Sequence, residues 1–204
     1  MEAFKSQEIK LRLEDPQSLS ELMQELEEGE GVEISLETLY YDSPDLDLHR
    51  AGYAYLVNRL PDEVQGEINP RGTFQGGVSS MEDWSRPQKD DKPDLDVFQD
   101  LPVWEVLKEA VGKKELELLF TVRYSRMAAT RFWQDDSRID YYLDRGTVSG
   151  RGQSESLLEV KLILREGRRE ALLEAAEDLQ RRYPLALETR TKDDRGLALL
   201  GIRL

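Results

Sequence analysis

Apolar and polar residues alternate strictly from Gln7 to Leu13. Ile9, Leu11 and Leu13 fall on one face of a predicted strand, and Glu8, Lys10 and Arg12 on the other. Every polar position on that second face is charged. The pattern returns at Glu159 to Leu164, where Glu159 and Lys161 again share a face opposite Val160 and Leu162. Both strands lead into a helical pattern. Two readings are open. The strands are either surface strands with solvated charges, or parts of a closed sheet whose charged faces line a water-filled interior. In the second case the apolar residues face outward, beneath covering helices.

The helices follow from changes of period. Asp15 is placed to cap and Pro16 to start a helix carrying Leu19, Leu22, Met23 and Leu26, with Gly29 and Gly31 ending it. A second helix is predicted over Leu101 to Val111. A third is predicted over Arg168 to Arg182, with Leu172, Leu173, Ala176, Leu179 and Tyr183 facing inward and Pro184 stopping it. Strands are predicted at Val32 to Tyr41, Tyr53 to Leu60, Val64 to Asn69, Thr73 to Ser79 and Leu185 to Glu188. Two long ones, Glu115 to Gln134 and Arg138 to Val148, are joined at Asp135-Asp136-Ser137. Short helical pieces fit Asp45 to Ala51 and Asp193 to Leu200. Ser85 to Asp96 is poor in apolar residues and reads as a mobile loop; Ser149 to Ser156 reads as a flexible connection. Long antiparallel strands with a few helices give an α+β class, and strands with one charged face favour closure into a barrel.

Composition narrows the chemistry. The 204 residues suit a single domain, 1–204. With 28 basic and 42 acidic residues the net charge is −14, which repels nucleic acid and acidic membranes unless the positive residues are gathered in one place. Cysteine is absent, which excludes disulfides and thiolate chemistry; the only histidine, His49, leaves no multi-histidine metal site and is expected to pack near its turn. Neither a secretory leader nor a long apolar run is present, so the expected location is cytoplasmic. Gly72, Gly76 and Gly77 form no phosphate loop, and Trp84, Trp104 and Trp133 read as core or rim residues.

Five segments, in order, resemble the CYTH family, the triphosphate tunnel enzymes related to thiamine triphosphatase and class IV adenylate cyclase. Glu8-Ile9-Lys10-Leu11-Arg12 stands where the family has Glu-x-Glu-x-Lys. Tyr40 to Gly52 (YYDSPDLDLHRAG), Ile139 to Gly146 (IDYYLDRG), Glu159 to Leu162 (EVKL) and Thr191 to Gly196 (TKDDRG) resemble later family segments. The resemblance spans nearly the whole chain. It implies an eight-stranded antiparallel β-barrel open as a tunnel and flanked by helices. Inward lysines and arginines would bind a triphosphate, and inward carboxylates would bind Mg²⁺ or Mn²⁺. Family activities include hydrolysis of thiamine triphosphate, inorganic triphosphate or RNA 5′-triphosphate ends, and in some members cyclic AMP synthesis.

Carried over residue by residue, the resemblance gives Glu8, Asp144 and Glu159 as metal ligands. It gives Lys10, Arg12, Arg126, Lys161, Lys192 and Arg195 as phosphate-binding groups, and Asp140 as the catalytic group orienting water. The ligand would be a nucleotide, thiamine triphosphate or inorganic polyphosphate, with neither membrane nor nucleic acid as partner. Lys10 and Lys161 replace the second glutamate of each family pair. Leu56, Asn58, Asn69 and Ser125 stand where basic residues are expected, and Arg59 turns to the other face. Two outcomes stay open. The tunnel binds a polyphosphate, with weak metal-dependent phosphohydrolase activity. Otherwise Lys10 and Lys161 neutralise Glu8 and Glu159, internal salt bridges replace the metal, and the protein is a scaffold or protein-interaction domain.

Overall fold

The apolar face of the first strand is turned outward, under helices. This is a computed structural model; it describes residues 4–28, 31–71, 73–75 and 78–202, and the side chains of 7–28, 31–71 and 84–202. Gly29, Gly72, Gly76 and Gly77 lie outside the described residues. The elements are β1 (Phe4–Leu13), α1 (Leu19–Glu28), β2 (Val32–Asp42), α2 (Asp47–Arg50), β3 (Tyr53–Arg59), β4 (Val64–Pro70), β5 (Thr73–Gln75), β6 (Val78–Gln88), α3 (Val103–Val111), β7 (Glu117–Phe132), β8 (Arg138–Gly150), β9 (Gln153–Glu166), α4 (Arg169–Arg182), β10 (Leu185–Leu187) and α5 (Lys192–Leu199). Single 3-10 turns occupy Pro16–Ser18 and Leu95–Phe98.

All pairings are antiparallel, in the order β10-β1-β9-β8-β7-β2-β3-β4-β6-β5. The α+β class stands. Among the described residues ten strands are present rather than the expected eight, β5 and β10 being three-residue edge pieces. β1 uses both edges. Gln7 to Arg12 pair with β9, while the opposite edge pairs with β6 over Phe4 to Glu8 and with β10 over Leu11 to Leu13.

Strand alternation explains where the core lies. Ile9, Leu11, Val160, Leu162, Leu143 and Tyr141 project from β1, β9 and β8 onto Leu22 and Leu26 of α1 and Leu172 and Leu179 of α4. On the far side of the sheet, Leu39, Tyr55, Val57 and Ile68 pack on Leu107 and Val111 of α3. Fully burying each large aliphatic side chain contributes about 1.5–3 kcal/mol, so these covered faces dominate the stability. The opposite face of these strands carries the charges, among them the buried Glu8, Lys10, Asp144 and Glu159. One end of it is filled by Tyr40, Phe120, Val148 and Leu157 against Leu197 of α5 and Leu200 just after it.

α5 is set in place by two local features. Thr191 and Asp194 form a reciprocal capping box at its start. Gly196 lies so close to the Phe120 ring that a Cβ would stand 2.1 Å from it, while that ring stacks on Tyr40 at 4.3 Å. Gly196→Ala is therefore expected to overpack this contact and lower stability by about 1–3 kcal/mol. A thermal melt followed by circular dichroism checks it, and an unchanged midpoint would contradict the close packing.

Two segments differ from the sequence expectation. Ser85 to Asp96 is not loop throughout: β6 continues to Gln88, pairing β4 from Val64↔Gln88 to Ile68↔Trp84, and Leu95 and Phe98 are buried. Backbone pairing carries this strand, and side-chain composition does not report it. Ser149 to Ser156 is likewise strand on both sides of a two-residue turn, Arg151-Gly152, where both φ angles are positive (48° and 74°). Among the described residues no helix is long and apolar enough to cross a membrane.

Candidate functional site

β1, β9, β8 and β7 bring like charges into direct register. Lys10 lies opposite Lys161, and Asp144 lies opposite Glu159. Like charges directly opposite are destabilising, so each pair needs compensation. The two pairs receive it unequally.

The carboxylate pair is fully compensated from within. Lys192 Nζ stands 2.8 Å from Asp144 Oδ2 and 2.5 Å from Glu159 Oε1. Arg126 donates to both Asp144 oxygens at 2.7 and 2.8 Å and lies over the Tyr142 ring at 4.7 Å. Arg195, 2% exposed, donates to Glu155 Oε1 at 2.9 Å and to the Ser156 carbonyl oxygen at 2.5 Å. Its Nη1 is 3.6 Å from Glu159 Oε2. Burial pushes the Asp144 carboxyl up, but Lys192 and Arg126 hold it well below the usual range. Burial also opposes charge on Lys192, and Asp144 and Glu159 hold it well above its usual value.

The lysine pair is compensated less. Lys161 Nζ is 3.5 Å from Glu8 Oε2, and Lys10 Nζ donates to the Arg190 carbonyl oxygen at 2.9 Å. Burial pushes the Lys10 ammonium below its usual value, against the pull of Glu159 and Glu8, and Lys192 and Lys161 add repulsion. Both lysines face a cavity of about 350 Å³, in the size range of small-molecule sites. Glu8, Glu159 and Lys192 line the same wall. Tyr40, Ala54, Leu56 and Pro70 give it an apolar side, and Glu67, Asn69, Arg71, Thr189, Thr191, Asp193 and Asp194 the remainder.

Arg71 reaches this cavity from the end of β4. Its Nη2 donates to Asp194 Oδ1 at 2.6 Å, and its Nη1 contacts both ring nitrogens of His49. The His49 backbone N–H in turn donates to Asp42, the last residue of β2. Asp193 is raised to about 6, chiefly by burial; Arg71 opposes the rise, and Asp194 and Asp42 add to it. An acid raised in the folded state contributes stability that is present below its ordinary value of 3.8 and lost as pH rises through about 6. Asp193→Asn is thus expected to stabilise by about 3 kcal/mol at pH 8 and by far less at pH 4. Melts at the two pH values check this, and equal gains would contradict it.

Of the residues singled out from sequence, Glu8, Lys10, Glu159, Lys161 and Lys192 line the cavity. Asp144, Arg126 and Arg195 form the ion-pair network beside it. Arg12 and Asp140 stand elsewhere. Arg12 is exposed and meets Glu14 at 3.3 Å. Asp140 accepts from Thr130 at 2.7 Å, from Arg165 at 2.6 Å and from Tyr142 at 3.2 Å. Arg71, Glu67 and Asp193 were not found from sequence. Arg71 follows Asn-Pro at a strand end, where no periodic signal reports direction. Asp193 lies within the Thr191 to Gly196 segment and was visible only as part of it.

A hard divalent cation needs several free carboxylate oxygens. Both Asp144 oxygens and Glu159 Oε1 are already taken by cationic side chains, and Lys161 stands beside Glu8. Among the described residues no three carboxylates or imidazoles converge at metal-binding spacing. The donor set does not fit Mg²⁺ or Mn²⁺.

Solved structures share this fold. A candidate adenylyl cyclase from Hippeastrum, with a dominant triphosphatase activity, matches over 98% of this chain and 97% of its own, with TM-score 0.70 and 18% identity. A candidate adenylate cyclase from Bacillus halodurans matches over 94% and 97%, with TM-score 0.57 and 15% identity. The RNA triphosphatase domain of the mimivirus mRNA capping enzyme matches over 85% of each chain, with TM-score 0.52 and 13% identity. No family model matches the chain, and no curated protein matches it. The fold is shared with these adenylyl cyclase-like and triphosphatase structures.

Proposed function

We propose that the cavity binds a triphosphate-containing small molecule or another polyphosphate anion between Lys10 and Lys161. One observation carries this: two buried-face lysines stand directly opposite each other on adjacent strands, with incomplete compensation, at the wall of a ligand-sized cavity. A polyphosphate carrying about four negative charges relieves that repulsion and takes charge-assisted hydrogen bonds from both ammonium groups. Arg71 and Lys192 line the same cavity, each already paired, Arg71 with Asp194 and Lys192 with Asp144 and Glu159. The chain's net charge of −14 repels anions elsewhere, so binding concentrates where these cations are gathered. The second pairing of β1, with β6, supports a sheet closed as an eight-stranded tunnel around this cavity, with β5 and β10 appended. A nucleotide, thiamine triphosphate or inorganic polyphosphate fits the same chemistry. Asp140 is tied up with Thr130, Arg165 and Tyr142, which supports binding without fast hydrolysis.

The buried network of Arg126, Asp144, Lys192, Glu159, Arg195 and Glu155 favours a second reading, a non-catalytic scaffold with an interior held by salt bridges. Phosphorus NMR of sodium tripolyphosphate separates the two. Addition of the protein in EDTA at pH 7 is expected to broaden and shift the phosphate resonances. Unchanged resonances at millimolar concentrations would favour the scaffold.

A further inference from the structure

The position of one side chain conflicts with the metal chemistry that the fold family implies. Lys192 is the first residue of α5, and a cation in the first turn opposes the helix dipole. The capping box of Thr191 and Asp194 nevertheless fixes the helix start there. The lysine therefore finds its compensation in the sheet and not in its own helix. Its Nζ stands 2.8 and 2.5 Å from one oxygen each of Asp144 and Glu159, little longer than the roughly 2.0–2.6 Å of magnesium– and calcium–oxygen bonds. The Glu159 oxygen left over, Oε2, is buried with no hydrogen-bond partner.

We propose that the cations set around the carboxylates take the place of the divalent cation of this fold, Lys192 by bridging Asp144 and Glu159 and Lys10 and Lys161 by standing where the family pairs have glutamates, and that ligand binding in the cavity is independent of divalent metal. The charge count agrees. Arg126, Lys192, Arg195 and Arg190 face Asp144, Glu159, Glu155 and Glu188, four cations against four carboxylates, so a divalent ion entering there meets no unbalanced negative charge and cations already held on its would-be ligands. Lys10 and Lys161 stand close enough to repel it further. Removing Lys192 leaves the opposed pair Asp144 and Glu159 with an uncompensated negative charge and a space the size of an ammonium group, the one condition under which a hard cation is favoured.

The replacement of the metal rests on the ion-pair geometry; the metal-independence of ligand binding rests in addition on the proposed polyphosphate site. The test uses MnCl₂ as the probe, with wild type, Lys192→Ala and Lys192→Met, and reads electron paramagnetic resonance of free Mn²⁺ together with the thermal midpoint. Wild type is expected to show no saturable Mn²⁺ binding up to 1 mM and no shift in midpoint. The variants are expected to melt lower and to recover on Mn²⁺ addition, with Mn²⁺ affinity at least tenfold above wild type. Saturable Mn²⁺ binding by wild type overturns the proposal whatever the variants do. So does a folded variant indifferent to Mn²⁺. Should both variants fail to fold, the wild-type titration still decides. Tripolyphosphate binding in EDTA and in Mn²⁺ is measured in parallel. Equal affinity supports metal independence, and affinity gained only with Mn²⁺ overturns it. Absence of tripolyphosphate binding in both would sink the polyphosphate site and the metal-independence that depends on it, while leaving the Mn²⁺ result to judge the replacement.

Discussion

Asp144→Ala is expected to destabilise the protein by about 3–5 kcal/mol, the cost of leaving buried cations without their partner. Arg126 loses both hydrogen bonds at 2.7 and 2.8 Å, and Lys192 loses one at 2.8 Å. Urea denaturation gives the number. A loss under 1 kcal/mol would mean that the network is solvated and not structural. The same residue predicts an acid limit. A carboxyl held well below its usual range contributes stability that is fully present above the ordinary carboxylate value and lost as pH falls below it. The wild type should therefore lose stability steeply below about pH 4, and the variant should not show that component.

Lys10→Ala and Lys161→Ala are each expected to weaken tripolyphosphate binding by about 10- to 100-fold, as loss of a charge-assisted hydrogen bond of about 1.5–3 kcal/mol requires. Lys10→Ala carries little folding penalty, since burial already disfavours its charge. Arg12→Ala serves as the contrast. Its side chain is exposed beside Glu14, and its loss should leave affinity within about twofold, an effect below roughly 0.4 kcal/mol. An Arg12 effect as large as that of Lys161 would place the ligand outside the cavity.

Which face of each strand is apolar was legible because period two is a strong signal: Ile9, Leu11, Val160 and Leu162 alternate with Glu8, Lys10, Glu159 and Lys161, and the structure puts the first set under α1 and α4. The start of the first helical segment was equally legible, since Asp15 accepts the Gln17 N–H; the Thr191 cap of α5 was not singled out, because that segment was read as starting at Asp193. Alternation fixes a face, though, and not a depth along the strand. Asp140 and Asp144 share a face of β8, but four residues span about 13 Å of strand, and only Asp144 joins the ion-pair network. Arg12 shares a face with Lys10 and emerges in solvent for the same reason. The role of Lys192 was hidden differently. A motif places a lysine near a phosphate or a carboxylate, and only the coordinates show it bridging Asp144 and Glu159. Arg71 came from the meeting of a strand end with α2 and α5, contacts that no local pattern carries.

The most direct test is titration calorimetry of the wild-type protein with sodium tripolyphosphate in excess EDTA, with orthophosphate as the control. Saturable one-to-one binding, far tighter than for orthophosphate, is the predicted result. No heat beyond dilution with tripolyphosphate would contradict the account and leave the opposed lysines as part of a scaffold.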